Sequence, residues 1–444
     1  MKITIVGAGR VGRYLAEYFV AEHQDVYLVD NDAEKLSSLE NDFNLRTFVG
    51  AASDCDVLRA AGADVADVFV AVSAGVSDNL VSCALAKRMG AKRTIARVDR
   101  VSFTGAANRE VIRRMGVDDL VFPDGVASMC IMSALEHPWA RSVSRLCGDA
   151  LELAVIRIDE EAPVCGLSLR AAFSADRMVH VAALRRDGVT VIPHGDDLLL
   201  SGDELFVTAL PGSRQRIVEM MGKDVPRIDK VLVAGGSAVA ELMATEGAGR
   251  FDMTLIENDV DRCRELTQTC PDCNVIYGDA GEADVLDEAG LNGCDAFVSL
   301  TDNTESNILA CLAAKDAGIT TTVAEVEKMR LVGKAETLGI DCVVNKPILT
   351  AHTIYSLAVG GDTTAAVSFA IPDAEVVGME IHEGSRLCGR AVKDLDIPRG
   401  ITFGGMVRNG CGELITGNTI LEAGDRIIVF GLQGMLDKVK RLFK

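Results

Sequence analysis

The chain opens on an apolar run from Lys2 to Val6 and then changes period, with Val11, Leu15, Tyr18 and Phe19 recurring at helical spacing. A buried strand followed by an amphipathic helix is expected. Asp25 to Asp30 predicts a second strand, Asp32 is placed to cap the next helix, and Val68 to Val72 and Thr94 to Val98 read as further short buried strands. Such alternation of strand and helix predicts a parallel sheet covered by helices on both faces. From about 147 to 222 the pattern changes. The apolar stretches Ala154 to Ile158 and Leu205 to Thr208 flank turn signals at Arg186-Asp187-Gly188 and Ser201-Gly202-Asp203, with a helix after them at Arg214 to Met221. This reads as a small α+β module, and polar Lys223 to Asp229 as a linker.

The pattern then repeats. Gly7 aligns with Gly235, an offset of 228, and the same offset brings Gly50 onto Gly278, Asp56 onto Asp284, Ser73 onto Thr301, Asn79 onto Asn307 and Arg97 onto Glu325. DVLRAAG at 56–62 faces DVLDEAG at 284–290, and later Gly202-Asp203 faces Gly424-Asp425 at an offset of 222. The chain is therefore a tandem duplication with four expected domains: Rossmann-like α/β doubly wound sheets at 1–140 and 228–358, each followed by a small α+β domain, at 147–222 and 363–444.

Composition narrows the function. With 45 basic against 65 acidic residues in 444, the formal charge is −20, which repels phosphate backbones and anionic lipid surfaces. Basic pairs such as Lys87-Arg88, Lys92-Arg93 and Arg113-Arg114 read as helix ends, where cations complement the dipole, so nucleic acid is not an expected partner. No apolar run approaches the roughly 18 residues of a membrane span, and a strand at the very start leaves no room for a signal peptide. A cytosolic chain is expected, its 13 scattered cysteines reduced.

Directly after the first strand stands Gly7-Ala8-Gly9-Arg10-Val11-Gly12, a complete GxGxxG opening a helix. Its glycines permit a tight turn and a close approach of backbone amides to a diphosphate at the helix N-terminus. Asp30, at the end of the second strand, can accept both ribose hydroxyls, which favours NAD(H), or an adenine nucleotide with the same ribose, over NADP. Ser73-Ala74 end the fourth strand at the crevice edge of such a sheet. Arg97 is a lone cation on an apolar strand that needs either a ligand phosphate or a buried carboxylate.

The second copy reads Gly235-Gly236-Ser237-Ala238-Val239-Ala240, with Glu257 ending its second strand, Asp279 after Gly278, and Thr301-Asp302 at the crevice. Side chains in place of the second and third glycines are expected to crowd a diphosphate. This is either a second nucleotide site or a copy kept for packing. Cys270-Pro271-Asp272-Cys273 lacks a second pair and reads as a structural loop, not zinc. Asp30-Asn31-Asp32 and Glu257-Asn258-Asp259 are accounted for by ribose binding and capping. His137-Pro138-Trp139 reads as a packing hinge.

GAGRVG with Asp30, VGAASDCDVLRAAGADVADVFVAVS, the TIARV strand and the late SGDELFV and AGDRIIVFG turns together resemble the TrkA family, the peripheral NAD-binding subunit of Trk potassium-uptake systems. There each half is an RCK (KTN) Rossmann domain followed by a TrkA-C domain, and the resemblance spans all 444 residues. It implies a regulatory homo-oligomer, commonly a ring, peripheral on the cytosolic face of the inner membrane. Membrane contact comes only through a TrkH/TrkG-like potassium-translocating subunit, gated by NAD(H) or ATP/ADP. The family's nucleotide contacts carry over onto Gly7 to Gly12, Asp30, Ser73, Ala74 and Arg97. Ala51 departs from the acid or amide usual after the glycine matched by Gly50, whereas Asp279 keeps it.

The rival reading, an NAD-dependent oxidoreductase, needs a proton-transfer group beside the nicotinamide. No tyrosine is followed four residues on by lysine and the six histidines do not cluster, so no catalytic residue is expected. A nucleotide-sensing regulator without a membrane partner is the third reading; only the family resemblance stands against it.

Overall fold

The computed structural model describes residues 1–443 except 44, 174–177, 224, 226, 360–373, 433–434, 436–438 and 440–441. The start of the fourth expected domain and two positions of the expected linker fall outside the described residues. The chain forms two compact units, Met1–Leu135 with Ile228–Val359, and Glu136–Arg227 with Gly360–Lys444. Like is grouped with like.

In the first unit the strands Lys2–Val6, Asp25–Asp30, Arg46–Val49, Val68–Ala71, Arg93–Arg97 and Asp119–Val121 pair in parallel, in the order 3-2-1-4-5-6. The copy, from Lys230–Ala234 to Cys342–Val344, repeats that order. Each sheet is buried on both faces, which is why its strands carry near-continuous apolar residues. The order reverses between the first and fourth strands, opening a crevice at their carboxyl ends.

Two helices cross between the copies. Pro123–Glu136 follows the first sheet, yet Ala127, Ile131 and Leu135 pack with Val231, Val233 and Leu255 of the second. Lys346–Val359 follows the second sheet and places Ala351, Ile354 and Ala358 against Ile3, Ile5 and Leu15 of the first. Polar contacts mark each crossing: the Tyr18 hydroxyl hydrogen-bonds His352 Nε2, and Ser128 Oγ donates to Glu246 at 3.0 Å. Reciprocal exchange makes the two Rossmann domains one folding unit.

The second unit holds two antiparallel sheets among the described residues, one of five strands from Ser142–Leu146 to Glu204–Ala209 and one of four from Ala374–Glu380 to Arg426–Leu432. They share apolar contacts among Leu151, Phe206, Ile428 and Phe430, and Thr208 Oγ1 donates to the Gly404 carbonyl at 2.7 Å. The duplicated Gly-Asp turns have a common use: Arg186 clamps the buried Asp203 at 2.7 and 2.6 Å, and Arg408 clamps Asp425 at the same distances. Bidentate pairing of a buried carboxylate holds each hairpin.

Strand ends differ from expectation by a residue, with the fourth strand stopping at Ala71 and the fifth starting at Arg93. Lys92-Arg93 is not a helix end. Lys92 pairs with Asp67 at 2.6 Å and Arg93, on the strand, with Asp119 at 2.7 Å. Trp139 is buried in the core of the second unit.

Candidate functional site

The first crevice is built by a loop whose glycines divide the work. Gly7 has φ +107°, and a Cβ there would lie 2.8 Å from the Ser73 amide nitrogen; a Cβ at Gly12 would lie 1.8 Å from the Gly7 carbonyl oxygen. Both are required by packing. A Cβ at Gly9 meets nothing within 4 Å, so packing does not require its bareness and the space over it is open. Gly9 caps the helix Arg10–Ala21 without a side-chain hydrogen bond, leaving the N-terminal amides to an anion. Asp30 accepts from the Ala8 amide at 2.6 Å and the Asp32 amide at 2.9 Å, which orients its carboxylate over the loop.

On the other side of the crevice a buried asparagine joins two strand ends. Asn79 Oδ1 accepts from the Ser73 amide and hydroxyl at 2.9 and 2.8 Å, while its Nδ2 donates to the carbonyls of Ser73 and Arg97 at 3.1 and 3.0 Å. The internal repeat aligns Asn79 with Asn307 but gives it no role. Its polarity inside an apolar helix is the signal that the sequence offers.

The resulting cavity, about 480 Å³, is lined by Gly7, Gly9, Arg10, Val11, Asp30, Ser73, Ala74 and Arg97. Ala8 and Gly12 are not among the residues that line it. Arg97 has no ion pair among the described residues and lines the open space, so the carboxylate alternative is not realised. Residues of the second copy complete the wall, namely Glu327, Lys346, Pro347 and Thr350. Glu327 accepts from Arg10 at 2.7 Å, and Lys346 stands 3.0 Å from Glu325 and 3.5 Å from Asp124. Burial raises the Glu325 carboxyl above its ordinary range, opposed by Lys346. These cross-copy residues are invisible to motif and spacing because they come from the exchanged helix and from the loop after the strand Thr321–Glu325.

The second crevice brings together all its expected residues: Gly235, Gly236, Ser237, Glu257, Asp279, Thr301 and Asp302 line a cavity of about 820 Å³. Glu257 repeats the role of Asp30, accepting from the Gly236 amide at 2.7 Å and the Asp259 amide at 2.8 Å. Asn307 repeats Asn79, accepting from Thr301 and donating to the carbonyls of Thr301 and Glu325. This cavity is the larger of the two. Ser237 turns its hydroxyl back to accept from the Ala240 amide at 3.3 Å, so one N-terminal amide of the helix is already satisfied.

Cys270 is buried in the core and burial pushes the Cys273 thiol up to about 11; no group of three potential metal-binding side chains occurs among the described residues. Asp32 and Asp259 cap their helices as expected. No described helix is long and apolar enough to cross a membrane.

Two parallel sheets with crevices at their switch points, paired with two antiparallel modules, define a duplicated Rossmann protein with C-terminal companion domains. The chain belongs to the TrkA family: the TrkA-N domain matches residues 3–123 and 231–346, and the TrkA-C domain matches 153–222 and 376–444. It is similar to the Trk system potassium uptake protein TrkA of Halomonas elongata, 28% identical over 455 residues covering 100% of this chain and 99% of the relative. It is also 28% identical to the TrkA homolog of Archaeoglobus fulgidus, covering 100% of both chains. Among solved structures, the GsuK RCK domain superposes with a TM-score of 0.62 at 17% identity, covering 100% of this chain and 94% of the other. The GsuK channel bound to NAD superposes at 0.64 and 16%, covering 100% and 78%. The fold is thus that of RCK domains.

Proposed function

We propose that this chain is the nucleotide-binding regulatory subunit of a potassium-uptake system, gating a TrkH/TrkG-like transmembrane subunit from the cytosolic side in response to NAD(H) or ATP/ADP. The observation that carries the reading is the first crevice. An uncapped helix N-terminus, an open space over Gly9, an oriented Asp30 and an unpaired Arg97 converge on one cavity, and a nucleotide offers a diphosphate, a ribose diol and a base to match. The potassium-uptake relatives and the RCK fold support the partner and a ring-like homo-oligomer. Gly7 to Gly12, Asp30, Ser73, Ala74 and Arg97 are the proposed contacts, with no catalytic role assigned to any.

The crevice also supplies a route for coupling, because Lys346 and Glu327 of the second copy stand in the wall of the first cavity. A nucleotide that prefers one arrangement of the two copies shifts their equilibrium, and couplings of about 1 to 3 kcal/mol are typical of such systems. The test is calorimetric titration of the full chain with NADH, NAD, ATP and ADP, repeated with Asp30→Ala and Arg97→Gln. Asp30→Ala abolishes binding and Arg97→Gln weakens it by about tenfold or more, the worth of a charge-assisted hydrogen bond. Unchanged binding in both variants defeats the site assignment, and potassium uptake that survives deletion of the chain defeats the gating role.

A further inference from the structure

The two crevices share a fold and an acid at the second strand, yet their charges diverge position by position. Arg10, a wall of the first cavity, corresponds at the offset of 228 to Ala238, and Arg97 to Glu325. Glu325 is buried against Lys346, whose amine serves the first cavity. Along the second helix, where the offset is 227, Lys35 corresponds to Arg262. That guanidinium is consumed by the Gly236 carbonyl at 2.8 Å, Glu241 at 2.7 Å and Glu265 at 2.8 Å, and it is not part of the cavity wall.

In the opposite sense, Ala51 and Ala74 become Asp279 and Asp302. The second cavity therefore presents Glu257, Asp279 and Asp302 with no lysine or arginine among its lining residues, and Ser237 already occupies a helix amide that a phosphate would use. Phosphate groups entering this space meet uncompensated like charge and a partly capped helix. What remains favourable is the ribose acceptor Glu257, the carboxylate of Asp279, which can accept from an exocyclic amine, and apolar walls at Ile256, Leu286 and Leu309.

We infer that the second cavity takes an uncharged aminopurine nucleoside, adenosine in its simplest form, and rejects phosphorylated nucleotides, so that one chain separates the two ligand classes by site. This rests on reading the crevices as nucleotide-type sites.

The test is calorimetry on the full chain in EDTA and again with magnesium, titrating adenosine and ADP into wild type, Asp30→Ala, Glu257→Ala and Ser306→Trp. Ser306 is exposed, lines the second cavity and lies outside the glycine loop, so its variant guards against a Glu257→Ala protein that fails to fold. Expected are one ADP per chain, lost in Asp30→Ala alone, and adenosine binding that survives Asp30→Ala but weakens at least tenfold in Glu257→Ala and Ser306→Trp. Two ADP per chain in either buffer, no adenosine binding, or adenosine binding indifferent to Ser306→Trp overturns the inference. ADP binding unchanged in Asp30→Ala sinks the first-site reading instead, whatever adenosine does.

Discussion

Glu325 lies 3.0 Å from the amine of Lys346, and the equivalent position in the first copy, Arg97, has no such partner among the described residues. One copy has closed this position with an internal ion pair and the other has left a cation facing a cavity.

Removing one member of a buried pair leaves the other uncompensated. Lys346→Met is expected to lower stability by about 2 to 3 kcal/mol, while Glu325→Leu with Lys346→Met is expected to be near neutral. Without Lys346, burial raises Glu325 further, and a carboxyl raised in the folded state loses stability as pH climbs past its unfolded value of 4.5. The deficit of the single variant should shrink on acidification. Thermal melts of both variants at pH 5 and 8 check this, and a deficit independent of pH speaks against it.

Gly9 and Gly12 should respond oppositely to alanine. Gly12→Ala forces a methyl to 1.8 Å from the Gly7 oxygen and is expected to cost about 1 to 3 kcal/mol as overpacking. Gly9→Ala, with nothing within 4 Å, should leave the melting temperature unchanged and weaken NADH or ADP by tenfold or more. Equal ligand affinity in Gly9→Ala would show that the open space is not the ligand's.

Asn79 and Asn307 tie strand ends in their own copies. Each alanine variant orphans buried backbone and hydroxyl groups and should cost about 2 to 4 kcal/mol. Only Asn79→Ala should also weaken ADP, because only it positions Ser73 and the Arg97 backbone. Calorimetry beside denaturation separates the two effects, and equal loss of ADP in both variants counts against the assignment.

His352 is partly buried where the exchanged helix meets Tyr18, and desolvation there pulls its imidazole from 6.5 down to about 4. A base whose folded value is depressed contributes stability in full above 6.5, lost as pH falls from 6.5 toward 4. The wild-type melting temperature should therefore drop more steeply over that interval than that of His352→Gln. Parallel profiles would remove His352 from the account.

Much of the first crevice is legible in the order of residues along the chain. Gly7 to Gly12, Asp30 and Asp32 act through neighbours close in sequence or on adjacent strands, where spacing fixes geometry, and the duplication supplies the second copy by offset. Ser237 marks the limit of such reading. Its side chain turns back to the Ala240 amide instead of filling the crevice, and rotamer choice is settled by local hydrogen bonds that composition does not reveal.

By itself the sequence determined two parallel sheets, two smaller modules and the residues around each crevice, because periodicity, turn glycines and strand-end acids are local signals. The tertiary structure alone decided that Pro123–Glu136 and Lys346–Val359 cross to the other copy, since a helix apolar on more than one side states that it must be buried but not against what. That exchange brings Lys346 to the first cavity, where Glu327 of the same copy also stands. From it follow the asymmetry of charge and the physical link between the two copies.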